Sequence, residues 1–348
     1  AATSPVPLLR KQSVSQSVDD APLVRYVRHL LTEAVIAGAS DLHLIPESDG
    51  LTLWLRIDGQ LLGQPAPPAA LAPRILARLK VMANLDLTET GQSQDGALHL
   101  ITGQGLECRF RISIVPALHG EKAVLRVIEG IDQIPSLDAL GLTEMQRACL
   151  QSAIQEPSGL ILLTGPTGSG KSQTLSRIML DLARGDRHVI ALEDPIERIL
   201  PGVQQIQVNS ERGFGFSQGL RALLRQDPDV LMVGEIRDQE TAVIAAQAAQ
   251  TGHLVLSTLH TRQVDDVPDR LAYLGVPHHL TQDSLRLIGA QRLVRRRCTH
   301  CQGAGCGACH DGYRGRSAVF DLWAPGGARH DFIHAAVDAI HTRRTTRE

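Results

Sequence analysis

Aromatic side chains are scarce in this chain. Five Phe, three Tyr and two Trp make up 3% of its 348 residues, too few for a platform on which successive bases stack. A surplus of either charge is missing too. Lys and Arg number 35 against 37 Asp and Glu, for a net charge of -2 and a pI near 6.7. No global field draws the chain to nucleic acid, and no direct nucleic-acid partner is expected. No run of 18 apolar residues occurs, so no membrane-spanning helix is expected. The opening Ala1-Ala-Thr-Ser-Pro-Val-Pro7 lacks the apolar stretch of a signal peptide. It also lacks a Met, which fits either a processed start or a piece of a longer chain. Cysteine is too clustered for a disulfide framework. Four of the six lie between 298 and 309, and Cys108 and Cys149 stand alone as expected core residues.

What is present is 43% hydrophobic, ordinary for a globular protein. It is organised around Leu160-Ile-Leu-Leu-Thr-Gly-Pro-Thr-Gly-Ser-Gly-Lys-Ser172. An apolar run expected to be a buried strand meets a Gly-x-x-x-x-Gly-Lys-Ser loop, and helical spacing follows to Ala183. Strand, glycine-rich loop and helix together make a P-loop. Gly165, Pro166, Thr167, Gly168, Ser169, Gly170, Lys171, Ser172 and Gln173 are the expected ATP-binding residues. The glycines free backbone N–H groups for phosphate oxygens, and the helix N-terminus adds its positive end. Lys171 suits the β- and γ-phosphates, and Ser172 suits Mg²⁺.

Along the chain, residues 1–20 read as a flexible Ser/Gln/Pro-rich segment. Residues 21–129 read as a compact α+β domain, with a helix over 23–35, a hairpin turn at Asp58-Gly59 and strands near 97–101, 106–115 and 123–128. Residues 130–137 look like a linker. Residues 138–296 form the P-loop core, and 297–348 hold a tetracysteine subdomain and tail. Within the core, Thr143-Glu-Met-Gln146 is a capping-box signature. Buried strands are expected at 188–192, 230–233 and 253–259, and helical patterns at 238–250 and 281–297. Alternation of strands and helices implies a mostly parallel sheet, with ligand groups gathered at the strand C-termini.

Carboxylates fall at those ends. Glu235 follows the 230–233 strand, with Gly234 where a Walker B strand usually carries Asp, and is the carboxylate available to Mg²⁺ or its waters. Glu193 closes the 188–192 strand and is the candidate base or orienting group for attacking water. His253 and His260 bracket the fourth strand. A neutral His there can sense a γ-phosphate by hydrogen bonding.

Three segments, Ile190 to Glu197, Leu223 to Asp238 and Thr251 to Thr261, resemble the Asp box, Walker B and His box of the secretion ATPases that drive type II secretion and type IV pilus assembly. Ala39 to His43, Arg56 to Gly59, Gln94 to Gly96 and Arg111 to Pro116 resemble that family's second N-terminal domain. The resemblance implies a RecA-like α/β P-loop ATPase domain, a smaller PAS-like α+β N-terminal domain and a small zinc-binding subdomain. It implies a homo-hexamer in the cytoplasm, working against an inner-membrane platform protein and reaching the membrane only through such partners. It also implies that Arg111 and Arg126 reach the nucleotide phosphates from the N-terminal domain, and that Arg237 acts between subunits. From the residues alone, Arg111 and Arg126 read more readily as surface ion-pair arginines on strands than as phosphate ligands.

Cys298-x-x-Cys301 and Cys306-x-x-Cys309 supply four thiolates, enough for a closed structural Zn²⁺ site. Gly303, Gly305 and Gly307 permit tight turns around the sulfurs. Disulfides or free thiols are the competing readings. The four-residue spacer between the pairs is short for the family, and Arg262 stands where the family usually has Asn. The family's first N-terminal domain has no counterpart in the sequence given. A pilus-retraction or DNA-uptake motor is the nearest alternative, and the cysteine cluster argues against retraction. A nucleic-acid translocase and a non-catalytic nucleotide-binding scaffold are alternatives of other classes.

Overall fold

The computed structural model describes residues 22–102, 105–128, 130, 134–327 and 329–331. The expected segment 1–20 and most of the C-terminal tail lie outside the described residues. The chain divides into two compact units, residues 1–129 and 130–348.

The first unit runs α1 (Pro22–Ile36), β1 (Ala39–Glu47), β2 (Gly50–Ile57), β3 (Gln60–Gln64), α2 (Ala72–Met82), β4 (Gln94–Ile101), β5 (Glu107–Ala117) and β6 (Gly120–Ile128). Val24, Val27, Leu31 and Ala34 recur at helical spacing and are the buried stripe of α1. The six strands form one antiparallel sheet in the order β3-β2-β1-β6-β5-β4. Alternation sorts its faces. Leu42, Leu44, Leu53, Phe110, Ile112 and Leu125 enter the core beneath α1 and α2. Asp41 on β1, Arg126 on β6 and Arg111 on β5 form one row of cross-strand partners. Lys80, 1% exposed, is compensated by Glu121 at 2.7 Å and the Glu89 carbonyl at 2.8 Å, as a buried cation requires.

The second unit runs α3 (Glu144–Gln155), β7 (Gly159–Thr164), α4 (Lys171–Leu182), β8 (Val189–Glu193), β9 (Val203–Gln207), α5 (Phe216–Leu223), β10 (Val230–Val233), α6 (Gln239–Gln250), β11 (Leu254–Leu259), α7 (Asp266–Tyr273), α8 (His278–Ser284), β12 (Leu285–Arg297), β13 (Tyr313–Trp323) and β14 (His330–Asp331). Thr143 and Gln146 make both bonds of the capping box that starts α3. The sheet order is β14-β13-β12-β7-β11-β10-β8-β9. Strands β12 through β9 are parallel, and β13 and β14 close one edge antiparallel. Parallel strands covered on both faces read as unbroken apolar runs, and every residue of β7, β10 and β11 is buried. Two cores flank the sheet: Leu160, Leu162, Val255 and the alanines of α6 on one side, and Ile161, Leu163, Ile178 and Met179 on the other.

One element differs in kind from its expected form. The helical reading of 281–297 holds only through α8, which stops at Ser284, and the remainder is the strand β12. Residues 285–290 pair with β7 on one side, and 288 onward pair with β13 on the other. Leu285, Leu287, Ile288 and Ala290 are all buried. A strand buried on both faces loses its two-residue alternation, and Leu285 and Ile288 then mimic a helical stripe. Strand β9 and helices α5 and α7 carried no signal strong enough to be read.

Candidate nucleotide and metal sites

The parallel strands deliver their C-termini to one edge. Gly165 follows β7, Glu193 ends β8, Glu235 lies two residues past β10, and His260 follows β11. Thr164 knits two of these ends together. Its Oγ1 accepts from the Thr261 N–H at 2.8 Å and lies 2.8 Å from the Thr261 carbonyl.

The loop from Gly165 to Gly170 folds as its glycines allow. Gly165 has φ 141 and Gly170, which caps α4, has φ 90. A side-chain carbon on Gly165 would overlap the Gln291 carbonyl, and one on Gly170 would come within 2.8 Å of Gln291 Nε2. Lys171 is 8% exposed, and its Nζ donates to the carbonyls of Gly165 at 2.8 Å and Pro166 at 3.1 Å. Burial lowers the Lys171 pKa, the Arg292 charge lowers it further, and Glu235 acts in the opposite direction. Ser169 is 3% exposed with no partner for its hydroxyl, so the loop still holds an unmet polar group, as a phosphate cradle does. Pro166, Thr167, Gly168 and the Ser172 hydroxyl are exposed. The Ser172 oxygen and the Glu235 carboxylate are hard donors of the type that suits Mg²⁺.

Glu235 is gripped from two sides. Its Oε1 lies 2.6 Å from Arg237 Nη2 and its Oε2 3.2 Å from His260 Nε2. The glycine before it has a local reason. A side chain on Gly234 would crowd the Leu192 carbonyl at 3.3 Å while merely touching the Phe216 ring. Glu193 is gripped by Gln205, whose Nε2 donates to Glu193 Oε1 at 2.7 Å and to the Arg198 carbonyl at 2.8 Å. Burial pushes the Glu193 pKa up, and Gln205 offsets part of that. Gln205 lies on β9. Nothing local in the sequence marks it, since its role depends on β9 adding beside β8.

His253 stands at the other end of β11. Its Nδ1 meets the Ala248 carbonyl at 3.1 Å where α6 finishes. That position removes it as a γ-phosphate sensor and leaves His260 as the histidine at the phosphate edge. In the first unit, Arg126 Nε donates to Asp41 Oδ1 at 3.0 Å, and Arg56 Nε lies 3.9 Å from the other Asp41 oxygen. The Arg126 side chain remains 66% exposed, and Arg111 stands opposite it across the strands, also exposed.

The cysteines lie in the turn joining β12 to β13. All four Sγ atoms fall within 4.8 Å of one another. Cys298 and Cys306 are 3.9 Å apart, while Cys301–Cys309 and Cys306–Cys309 are 3.6 Å apart. A tetrahedral zinc with Zn–S near 2.3 Å needs sulfurs about 3.8 Å apart, so the donor set and its spacing fit Zn²⁺. A disulfide needs about 2.05 Å, and all four cysteines are free. The N–H groups of Gly305 and Cys306 point at Cys301 and Cys309 sulfur, at 3.2 and 3.3 Å. Gly312 is the glycine this knuckle cannot replace, because a side-chain carbon there would overlap Gly303. Gly307, in contrast, does not adopt positive φ.

The chain is also similar to proteins already known. The family described as Type II/IV secretion system protein matches residues 16–348. The type IV pilus assembly ATPase PilB of Pseudomonas aeruginosa is 41% identical over 339 residues, which is 90% of this chain and 60% of that protein. The type II secretion system protein HxcR of the same species is 42% identical over 315 residues, 88% of this chain and 67% of that one. The chain thus spans about 60% of the length of the pilus assembly ATPase. Among solved structures, the pilus retraction motor PilT with bound ADP superposes with a TM-score of 0.61 at 29% identity, covering 91% of this chain and 87% of that one. No described helix is long and apolar enough to cross a membrane. With the P-loop, the acidic strand ends and the cysteine knuckle on one α/β scaffold, the chain belongs to the type II/IV secretion system protein family and carries its ATPase fold.

Proposed function

We propose that this chain is a Mg²⁺-dependent ATPase acting as a homo-hexameric motor for type II protein secretion or type IV pilus assembly. It would work in the cytoplasm against an inner-membrane platform protein. The observation that carries the proposal is a buried lysine on the phosphate loop that feels the Glu235 carboxylate, itself held by Arg237 and His260. In this reading Lys171 exchanges the Gly165 and Pro166 carbonyls for β- and γ-phosphate oxygens. Ser172 and Glu235 would hold Mg²⁺, which would neutralise phosphate charge. Glu193 orients the attacking water and takes its proton on a carboxylate oxygen, a task favoured by a pKa raised through burial. His260 senses the terminal phosphate through its contact with Glu235.

Arg111 and Arg126 belong to the same proposal as guanidinium forks for the phosphoryl oxygens. The Asp41 contact that orients Arg126 while leaving it exposed supports that role. Cys298, Cys301, Cys306 and Cys309 would bind one structural zinc. The division into 21–129, 138–296 and 297–348 assigns these three tasks to three parts of the chain. The fit to the retraction motor keeps retraction as the second reading, and the cysteine knuckle favours assembly or secretion. Lys171→Ala tests the core of the proposal. ATP turnover should fall by about three orders of magnitude, with a melting temperature within a few degrees of the parent. Unchanged phosphate release would refute it.

A further inference from the structure

Strand β12 outruns its neighbour. Ala290 pairs with Thr164, the last residue of β7, so Gln291 and Arg292 continue alongside the phosphate loop. Gln291 is 1% exposed, and its Oε1 accepts from Thr174 Oγ1 of α4 at 3.0 Å. That bond pins β12 to the helix that the loop opens. Arg292 follows, and its Nη1 lies 3.0 Å from where a side-chain carbon of Gly165 would stand.

The partners of this guanidinium are unusual for a half-buried cation. Nη1 donates to the Gln291 carbonyl at 3.0 Å, and Nη2 donates to the Arg262 carbonyl. No carboxylate among the described residues pairs with it. Its charge falls on Lys171, lowering that pKa after burial has done so, and burial lowers the Arg292 pKa as well. Two cations that disfavour each other in a partly dry site are costly unless an anion joins them. Among the described residues, Glu235 is the carboxylate that acts on Lys171, and it is already shared by Arg237 and His260. With two of its five N–H donors on main-chain oxygens, Arg292 retains donors for a phosphate-type anion.

We infer that Arg292 is a second cation of the phosphate site, which with Lys171 holds the terminal phosphates of a bound nucleoside triphosphate. The inference rests on the reading of this edge as an ATP site. It also gives the Arg262 contact a purpose. The loop after β11, which carries His260, is tied through Arg292 to β12 beside the start of the phosphate loop, so anion binding at Arg292 would be felt at the His260–Glu235 pair.

The test is calorimetric binding of ATP, ADP, AMP and inorganic tripolyphosphate to the full chain and to Arg292→Gln, Arg292→Lys and Lys171→Ala variants. For Arg292→Gln, ATP and tripolyphosphate affinity should drop about 10- to 100-fold, the size of one charge-assisted contact. ADP should lose less and AMP should not change. Arg292→Lys, which keeps the charge without the fork, should recover part of the ATP affinity, and it carries the test if the glutamine variant does not fold. Equal losses for all three nucleotides would make Arg292 a structural cross-link and overturn the proposal. So would parent-like ATP binding by both Arg292 variants while Lys171→Ala binds none, an outcome that leaves the ATP site standing. If the parent protein binds no ATP, the site reading and this inference fall together.

Discussion

At the phosphate edge, Lys171, Glu193 and Glu235 are held by strands whose residues are almost wholly buried. At the cysteine knuckle the four sulfurs also lie close together, yet Cys301, Cys306 and Cys309 are only partly buried, and within residues 298–312 only Cys298 and Gly312 are buried. The first site is positioned by the hydrophobic core beneath it. The second has less of such support, and on the zinc reading a bound metal would supply the energy that holds it together. Position by packing and position by ligation respond to different perturbations.

The largest separation between them should appear on metal removal. Elemental analysis should find about one zinc per chain. Chelation, or Cys306→Ser, should open amide exchange across residues 298–312 while residues 160–164 stay protected. Structural zinc in isolated fingers binds with an apparent 10–16 kcal/mol, enough to account for the order of so small a turn. Leu162→Ala, in contrast, should cost about 2–5 kcal/mol of global stability and leave zinc stoichiometry intact. A knuckle that stays protected without metal would erase the distinction.

A smaller effect concerns the arginine row on the first unit. Arg126 is oriented by Asp41, whereas Arg111, its cross-strand partner, has no such anchor among the described residues. Arg111→Ala should lower ATP turnover about 10- to 100-fold, with ATP affinity reduced less than turnover, as for an interaction made mainly in the transition state. Both lie on exposed surface, so the melting temperature should hardly move. Parent-like turnover in Arg111→Ala and Arg126→Ala alike would return both residues to ordinary surface arginines.

What the sequence disclosed follows the same division between local and assembled features. Gly165 to Ser172 is legible because one short segment contains both the turn and its groups. Cys298 to Cys309 is legible because ligand spacing is itself the signal. Glu193 and Glu235 are visible because each ends an apolar run. Gln205 and Arg292 are not, because each acts through a neighbour brought in by sheet order: β9 beside β8, and β12 beyond the end of β7. Arg292 was further obscured by the helical reading of 281–297, which turned a strand overhanging the phosphate loop into part of a helix.

The finest test weighs packing against chemistry at Glu193. Burial is the main cause of its raised pKa, with Glu197 adding to it and Gln205 and Arg198 opposing. The folded chain therefore holds this proton more tightly than the unfolded chain, whose value is near 4.5. Stability linked to the group is fully present below about pH 4.5 and is lost as pH rises through the folded value. Glu193→Gln removes that loss and keeps an oxygen for Gln205. Its melting temperature should exceed the parent's at pH 7.5 by on the order of a degree, the shift of a few tenths of a kcal/mol in a unit of this size, and the difference should vanish near pH 4. Turnover should fall in the same variant. A difference that is flat with pH would mean that burial does not set the proton affinity of Glu193, and the case for it as the water-orienting base would lose its electrostatic support.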